Sequence, residues 1–290
     1  MASASISVIS AKRSIRRARL VKAMVYTVVA VSLLITLAPF YWALNMSFKR
    51  EGDVFNIPIQ YFPNPFTAAN YVQAWTFYNF GTYFSNSLRV AIAATLLVLV
   101  CATMNGYALS RFKFKGKTGF MLLLLSSQML PGVFTLIPLF VIFRHLGLLN
   151  SLLGLTIVYI GNGIPFNTLL MYGFVNGIPN SIDEAAMVDG ASRSRIIIRI
   201  ILPLIVPGLV ATSAFAFISA WNEFFAAFAI LSTRRLFTIS IAIRFLTAEG
   251  AVHLASMAAQ CIIALAPPLI LFAIIQKHLV QGLTAGAVKS

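Results

Sequence analysis

The sequence has few charged residues and few groups that could carry out chemistry. Only 10% of its 290 residues are charged, against about a quarter in a typical soluble domain, and only seven of them are acidic. Cys101 and Cys261 lie in separate apolar runs without C-x-x-C spacing, which argues against a disulfide framework or a thiolate metal site. His145, His253 and His278 are scattered along the chain, without the spacing of metal ligands. We therefore predict no metal site, no bound cofactor and no catalytic residues on this chain.

Long apolar runs dominate what remains, since 59% of the residues are hydrophobic. Six segments are each long enough to cross about 30 Å of hydrocarbon: residues 24–46, 84–109, 119–143, 152–175, 203–231 and 256–279. The first is too long for the apolar region of a cleaved signal peptide, so we interpret it as a retained span. The predicted fold class is an all-α membrane protein with six transmembrane helices. Several of these helices should bend or break at a proline, at Pro131, Pro138, Pro165, Pro267 and Pro268.

The distribution of positive charge predicts the orientation of the chain. The formal net charge is +15, and fifteen of the 22 Lys and Arg residues lie in the two terminal segments and in two alternate loops. This bias predicts that both termini are cytoplasmic. We read the charge as loop charge at a membrane, with no role in nucleic-acid binding.

The predicted organisation has three parts. Residues 1–23 form a basic, poorly ordered cytoplasmic arm, residues 24–279 form the six-span domain with a cytoplasmic loop at 176–202, and residues 280–290 form a cytoplasmic tail. The outer loop 47–83 is rich in aromatic residues. It could be an interfacial aromatic belt or a docking surface for an external partner.

The cytoplasmic loop contains a polar stretch, "IDEAAMVDGASRSRIIIRIILPLIVP", from Ile182 to Pro207. Ser181 and Glu184 have the spacing of a capping box at a helix start, and Gly190 suits a left-handed helix end. Ser192 could cap a second helix over residues 193–202, and Pro203 suits the first turn of the fifth span.

Two interpretations of this helix–turn–helix remain open from its residues. Small side chains at Ala185 and Ala186 would let another protein surface approach closely. Alternatively, the helix lies at the membrane surface with Arg193, Arg195 and Arg199 on lipid phosphates.

The same stretch resembles the EAA signature of permease subunits of bacterial ABC importers, E-A-A-x-x-x-G followed by I-x-L-P. "AWNEFFAAF" (residues 220–228) and the ending "LVQGLTAGAVKS" (residues 279–290) are similar to carbohydrate permeases of the maltose-transporter type, on the smaller six-span partner. The resemblance covers the chain from about residue 24 onward. It implies the type I ABC importer permease fold in a bacterial cytoplasmic (inner) membrane.

The resemblance also implies partners and residue roles. The partners would be a second, homologous permease subunit, two cytoplasmic ATPase subunits that bind ATP and Mg, and an extracytoplasmic solute-binding protein. The tail from Gly282 to Lys289 would also reach the ATPases. The residues that would couple the loop to an ATPase are Glu184, Ala185, Ala186, Asp189, Gly190, Leu202 and Pro203.

The chain itself lacks a nucleotide site. "KGKTG" (residues 115–119) contains the G-K-T of a phosphate-binding loop, but Arg111 stands where the first glycine is required. ATP would therefore be hydrolysed on other subunits.

The substrate path is predicted around the one acid inside a span, Glu223. A buried charge in a span is costly and usually functional, so Trp221, Asn222, Glu223 and Phe224 are candidates to line a sugar path. Glu223 could instead cap a helix or pair across helices.

Three rival functions remain. The outer arginines Arg144, Arg234, Arg235 and Arg244 would also suit an anionic sugar derivative, such as a uronate oligosaccharide or a glycerol phosphate. A secondary transporter or channel would need no ATPase. An intramembrane enzyme would need a catalytic partner near Glu223, which the sequence does not offer.

Overall fold

The structure, a computed structural model, describes residues 2–246 and 253–287, with side chains from 19 to 245 and from 253 to 276. All regular structure in these ranges is helical, and they contain no strand. The α-helices are α1 Ala2–Ser47, α2 Ala69–Thr76, α3 Phe80–Arg111, α4 Lys117–Met129, α5 Gly132–His145, α6 Leu152–Asn176, α7 Asn180–Val188, α8 Arg193–Ile196, α9 Leu202–Leu204, α10 Val206–Asn222, α11 Phe225–Ile230, α12 Ile239–Leu246 and α13 Leu254–Ala287. A π-helical turn, Ile197–Ile201, joins α8 to α9.

Four helices are long and apolar enough to cross a membrane: Arg19–Ser47 within α1, α3, α6, and Leu254–Gln276 within α13. Two further spans are possible if each of two bent helix pairs counts as one. The chain bends by 100° between α4 and α5, and by 82° between the segment Arg193–Leu204 and α10. The apolar segments predicted from the sequence are therefore helical, but the third and fifth are broken.

Prolines accompany both breaks. Pro131 precedes α5, and Pro207 lies in the first turn of α10. Proline has no N–H to donate, so it is tolerated at a helix start and disfavoured further along. Pro138, Pro165, Pro267 and Pro268 lie inside uninterrupted helices, so of the predicted bend or break the break does not occur there.

Glycines allow the central helices to pack closely. A Cβ added at Gly106 of α3 would lie 2.8 Å from the backbone nitrogen of Tyr172 in α6. One added at Gly208 of α10 would lie 2.5 Å from the ring of Phe174. Small residues at such contacts are typical of helix packing in membranes, where close approach gains van der Waals contact.

The described residues form two compact units, one of residues 2–72 with 254–262 and the other of residues 73–246 with 253 and 263–287. In the first unit the loop after α1 is folded. The ammonium of the buried Lys49 donates to the carbonyl of Gln60 at 2.6 Å and lies over the Trp42 ring. The Glu51 carboxylate accepts the backbone N–H groups of Ala255 and Ser256 at the start of α13. Several aromatic side chains of this loop remain exposed, as either interpretation of the loop requires.

Both chain ends are more helical than the sequence suggested. Because α1 begins at Ala2, residues 2–23 continue the first helix, where a poorly ordered arm was expected. Helix α13 continues to Ala287 and includes most of the expected tail. Residues 288–290 lie outside the described residues.

Candidate functional site

The polar loop folds as predicted in outline, but its first helix starts differently. Helix α7 begins at Asn180, directly after Pro179, and no side chain caps its start. Ser181 therefore lies in the first turn, and the predicted Ser181–Glu184 capping box is wrong. Pro179 is extended, with ψ 136°, and the helix therefore starts two residues earlier than it would after a Ser181 cap.

The end of α7 agrees with the prediction. Gly190 has φ +78°, in the left-handed region that favours glycine. Its N–H donates to the Met187 carbonyl, and the N–H of Ala191 donates to the Ala186 carbonyl. A Cβ added at Gly190 would meet no atom within 4 Å.

The second helix differs from the prediction in two details. Ser192 precedes α8, but its side chain makes no capping hydrogen bond. Helix α10 begins at Val206, beyond the bend at Ile205, so Pro207 takes the first-turn position predicted for Pro203. Pro203 lies in α9, before the bend.

The predicted coupling residues differ in their exposure to solvent. Glu184, Ala185, Asp189, Gly190 and Pro203 are exposed, and Leu202 is half-buried. Ala186 is buried, with 7% of its surface exposed. The expectation that Ala186 offers a close fit to a partner is therefore wrong, because its small side chain fits this chain's own core.

That core fastens the loop to the ends of two long helices. Ala186 shares it with Ile196 and Ile201, and it includes residues of α3 and α6, namely Ala102, Tyr107, Met171 and Val175. Burial of these apolar side chains holds the loop against the bundle. The loop is therefore packed against α3 and α6.

A buried ion pair, missed in the sequence, strengthens this attachment. The Arg111 Nε at the end of α3 lies 2.8 Å from Oδ2 of Asp183 in α7, with both side chains almost fully buried. The Tyr107 hydroxyl donates to Oδ1 of Asp183 at 2.9 Å, and Nη1 of Arg111 donates to Oδ1 of Asn180 at 2.7 Å. We call these four residues the α3–α7 clamp.

One sequence signal could have indicated Asp183. It lies three residues before Ala186, so the two share a helix face, and an inward Ala186 places Asp183 inward too. An inward carboxylate needs a partner. Nothing in the sequence identifies Arg111 as that partner, because it lies 72 positions away in a predicted loop with several other positive charges.

The second candidate region is the end of α10, where the helix stops at Asn222. Glu223 is extended, with ψ 128°, and α11 starts two residues later. Both carboxylate oxygens of Glu223 accept backbone N–H groups at the start of α11, from Ala226 at 2.8 Å and from Ala227 at 3.1 Å. The Glu223 side chain therefore acts as a helix cap, one of the two roles the sequence left open.

The backbone carbonyl of Glu223 is also satisfied. Hydroxyls of Tyr159 and Ser240 donate to it, at 3.3 and 2.8 Å. Unpaired backbone groups are costly at membrane depth, so a broken helix persists there only where such partners exist or where it lines a cavity.

The remaining path candidates have different environments. Trp221 is buried, and its indole N–H donates to the Ala264 carbonyl at 3.1 Å. Phe224 is half-buried and stacks on Phe228. Asn222 is exposed, and no hydrogen bond holds its amide among the described residues. Of the four, Asn222 is the one with free polar atoms. The ring of Phe228, a residue not among the four, is exposed and stacks on Phe224.

A cleft of about 400 Å³ along α5 does not resemble a sugar site. Its lining is apolar except for Thr135, whose hydroxyl donates to the Gly132 carbonyl. A sugar site requires several convergent polar groups. The cleft is lined by Leu130, Phe134, Thr135, Pro138, Leu139, Ile142 and Phe143.

Among the described residues no group of three or more His, Cys, Asp or Glu side chains could hold a metal ion. Nothing in these residues therefore suggests a resident metal.

Comparison with known proteins gives the family. A family model described as the binding-protein-dependent transport system inner membrane component matches residues 99–285. The chain belongs to this family. It is a multi-pass membrane protein and a permease, in agreement with the resemblance carried by the EAA signature.

Two curated permeases show how far the similarity extends. The chain is 40% identical to the diacetylchitobiose uptake system permease protein DasC of Streptomyces coelicolor, over 90% of this chain and 95% of that protein. It is 34% identical to the sulfoquinovosyl glycerol transport system permease protein SmoH of Agrobacterium fabrum, over 90% and 92%.

The fold is also that of a solved transporter. A permease chain in the crystal structure of a bacterial ABC transporter involved in the import of the acidic polysaccharide alginate superposes with a TM-score of 0.78. The superposition covers 90% of this chain and 97% of the transporter chain, and the two sequences are 22% identical. The permease therefore has the ABC importer fold.

Proposed function

We propose that the protein is a permease subunit of an ATP-driven importer for a sugar or oligosaccharide in the bacterial cytoplasmic membrane. The substrate class is supported by the names of its two curated relatives, which transport diacetylchitobiose and sulfoquinovosyl glycerol. An extracytoplasmic solute-binding protein would deliver the substrate, in keeping with the family description. A second, homologous permease would complete the path.

ATP and Mg would bind on two cytoplasmic ATPase subunits. This chain has no glycine-rich phosphate loop, so the energy of ATP must enter through a contact between subunits. The surface proposed for that contact is the exposed face of α7, with Glu184 and Ala185, together with Asp189 directly after the helix. Its small central alanine would allow a close approach.

The observation that carries this proposal is the α3–α7 clamp. A docking helix transmits force only if it moves with a spanning helix. The buried ion pair between Arg111 and Asp183 ties α7 to α3. Helix α3 packs along α6, where Gly106 allows a close approach, and also along α10. Movement of the ATPase subunits would thus reach the spans as a rocking motion, opening the path alternately to each side.

The substrate would pass near the break between α10 and α11. The free Asn222 amide could hydrogen-bond a sugar hydroxyl, and the exposed ring of Phe228 could stack on a pyranose face. Glu223 would hold this break in shape, and its carboxylate would not touch the sugar.

Co-purification with an ATPase tests the proposal. The full chain, tagged and solubilised from its own host's membranes, should carry an ATP-hydrolysing polypeptide. Ala185→Arg should lose that polypeptide and sugar uptake while the chain stays in the membrane. The control is Ala68→Arg at an exposed alanine in the outer loop, which should retain the ATP-hydrolysing polypeptide.

Two results would contradict the proposal. Absence of any ATPase from the wild-type preparation would favour a secondary transporter or channel. Normal ATPase recovery with Ala185→Arg would remove α7 as the docking surface.

A further inference from the structure

Six cations gather at the ends of the spanning helices beside the α3–α7 clamp. They come from two segments far apart in sequence, and we call them the basic patch: Lys113, Lys115, Lys117, Arg193, Arg195 and Arg199. The Arg193 guanidinium lies 4.8 Å from the centre of the Phe112 ring, which brings the loop after α3 to the start of α8. The Lys117 ammonium lies 5.3 Å from the Tyr172 ring, near the end of α6.

The patch is not neutralised within the chain. None of the six forms a salt bridge among the described side chains. The ion pair found there joins Arg111 to Asp183, which are not part of the patch. Five are exposed and Lys117 is half-buried. The acids outside the clamp in this part of the loop are Glu184 on α7 and Asp189 directly after it, which leaves a clear excess of positive charge.

Exposed apolar side chains alternate with these cations. Phe112 and Phe114 are 39% and 47% exposed between the lysines, and Ile198 is 62% exposed beside Arg199. Leu204, at the end of the same segment, is 52% exposed. Aromatic rings next to Lys and Arg are typical of segments that lie at headgroup level, with the rings in the interface and the cations at the phosphates.

We propose that the basic patch binds anionic phospholipid of the cytoplasmic leaflet. Lys and Arg would contact the lipid phosphates while Phe112, Phe114 and Ile198 enter the interface. Each surface cation contributes about fivefold to such binding, and the attraction is screened by salt. This inference goes beyond transport itself, because it concerns the lipid requirement of the chain and not its substrate or its ATPase.

Lipid binding by the purified full chain tests this without any ATPase subunit. Native mass spectrometry in detergent would compare retention of phosphatidylglycerol with retention of phosphatidylcholine. The variant Lys113→Gln/Lys115→Gln/Arg195→Gln/Arg199→Gln keeps Arg193 and Lys117, which contact aromatic rings. It should lose at least about tenfold of the preference for phosphatidylglycerol. The control Arg50→Gln/Arg144→Gln, at exposed arginines of the predicted outer side, should retain that preference.

Three results would overturn the inference. They are an absence of phosphatidylglycerol preference in the wild type, an unchanged preference in the fourfold variant, or an equal loss in the control. If the fourfold variant kept its lipid preference but failed to co-purify with the ATPase, the patch would belong to the ATPase contact instead. Since the lipid measurement needs neither ATP nor sugar, its failure would leave the proposed transport function standing.

Discussion

At the scale of single residues, the neighbours Asn222 and Glu223 are both polar and within one span, yet their environments differ. Each carboxylate oxygen of Glu223 accepts one backbone N–H group of α11. The amide of Asn222 is exposed, without a partner among the described residues. The structure thus separates a residue that caps α11 from one whose side-chain amide is free.

We predict opposite phenotypes for the two alanine variants. Glu223→Ala should lower the free energy of unfolding by about 1–2 kcal/mol, because it removes the cap of a short helix. Asn222→Ala should leave stability unchanged and reduce sugar uptake. Thermal unfolding in detergent and uptake into proteoliposomes containing the assembled transporter measure the two effects. Reduced uptake by Glu223→Ala at unchanged stability would return Glu223 to the substrate path.

Residues of the same loop differ in how far the sequence predicts their roles. The Gly190 turn follows from local rules, because only the preceding helix and the left-handed backbone requirement are involved. The burial of Ala186 and the pairing of Asp183 with Arg111 depend on which face of α7 meets α3. No local pattern contains that information, so the sequence suggested an outward Ala186 and gave Asp183 no role.

At the scale of elements, the α3–α7 clamp joins a spanning helix to a short helix in the loop. Breaking a buried ion pair from one side leaves the other charge without compensation, which typically costs about 3–5 kcal/mol. Replacing both charges with apolar side chains of similar size is often close to neutral. A variant that removes one charge and a variant that replaces both should therefore differ in stability if the two side chains form a buried ion pair.

We therefore predict that Asp183→Ala strongly lowers the melting temperature of the full chain in detergent, while Arg111→Met/Asp183→Leu recovers most of the loss. Glu184→Ala is the matched control, because this acid is the next residue but is exposed, and it should change the melting temperature little. Equal melting temperatures for Asp183→Ala and Glu184→Ala would show that the ion pair does not hold α7 in place.

At the scale of the whole molecule, the six apolar segments were predictable because each follows from length and hydropathy alone. The breaks in the third and fifth segments were only partly predictable. Proline marked the positions, but proline also lies within uninterrupted helices here, as at Pro165 and Pro267. Whether a proline bends or breaks a span depends on which neighbouring helices satisfy the freed backbone groups, and that is a property of the assembled fold.

The 100° bend between α4 and α5 leaves one topological choice, which labelling can decide. If the pair forms one broken span, the loop before α4 and the loop after α5 lie on opposite sides of the membrane. If it is a re-entrant hairpin, they lie on the same side. The contact between Arg111 at the end of α3 and Asp183 in α7 favours the first arrangement. Helix α6 crosses once between these two residues, so a second crossing, by the α4–α5 pair, is needed to return the chain to the same side.

We predict that Leu146→Cys reacts with a membrane-impermeant maleimide in intact cells and that Lys115→Cys reacts only after permeabilisation. Both positions are exposed, so a difference in labelling reflects the side of the membrane. The background should carry Cys101→Ala and Cys261→Ala, which remove both native thiols. Asn56→Cys in the outer loop and Ser181→Cys at α7 provide references for the two sides. Labelling of both test positions from the same side would reduce the chain to fewer than six spans and place the α4–α5 pair in the membrane as a re-entrant element.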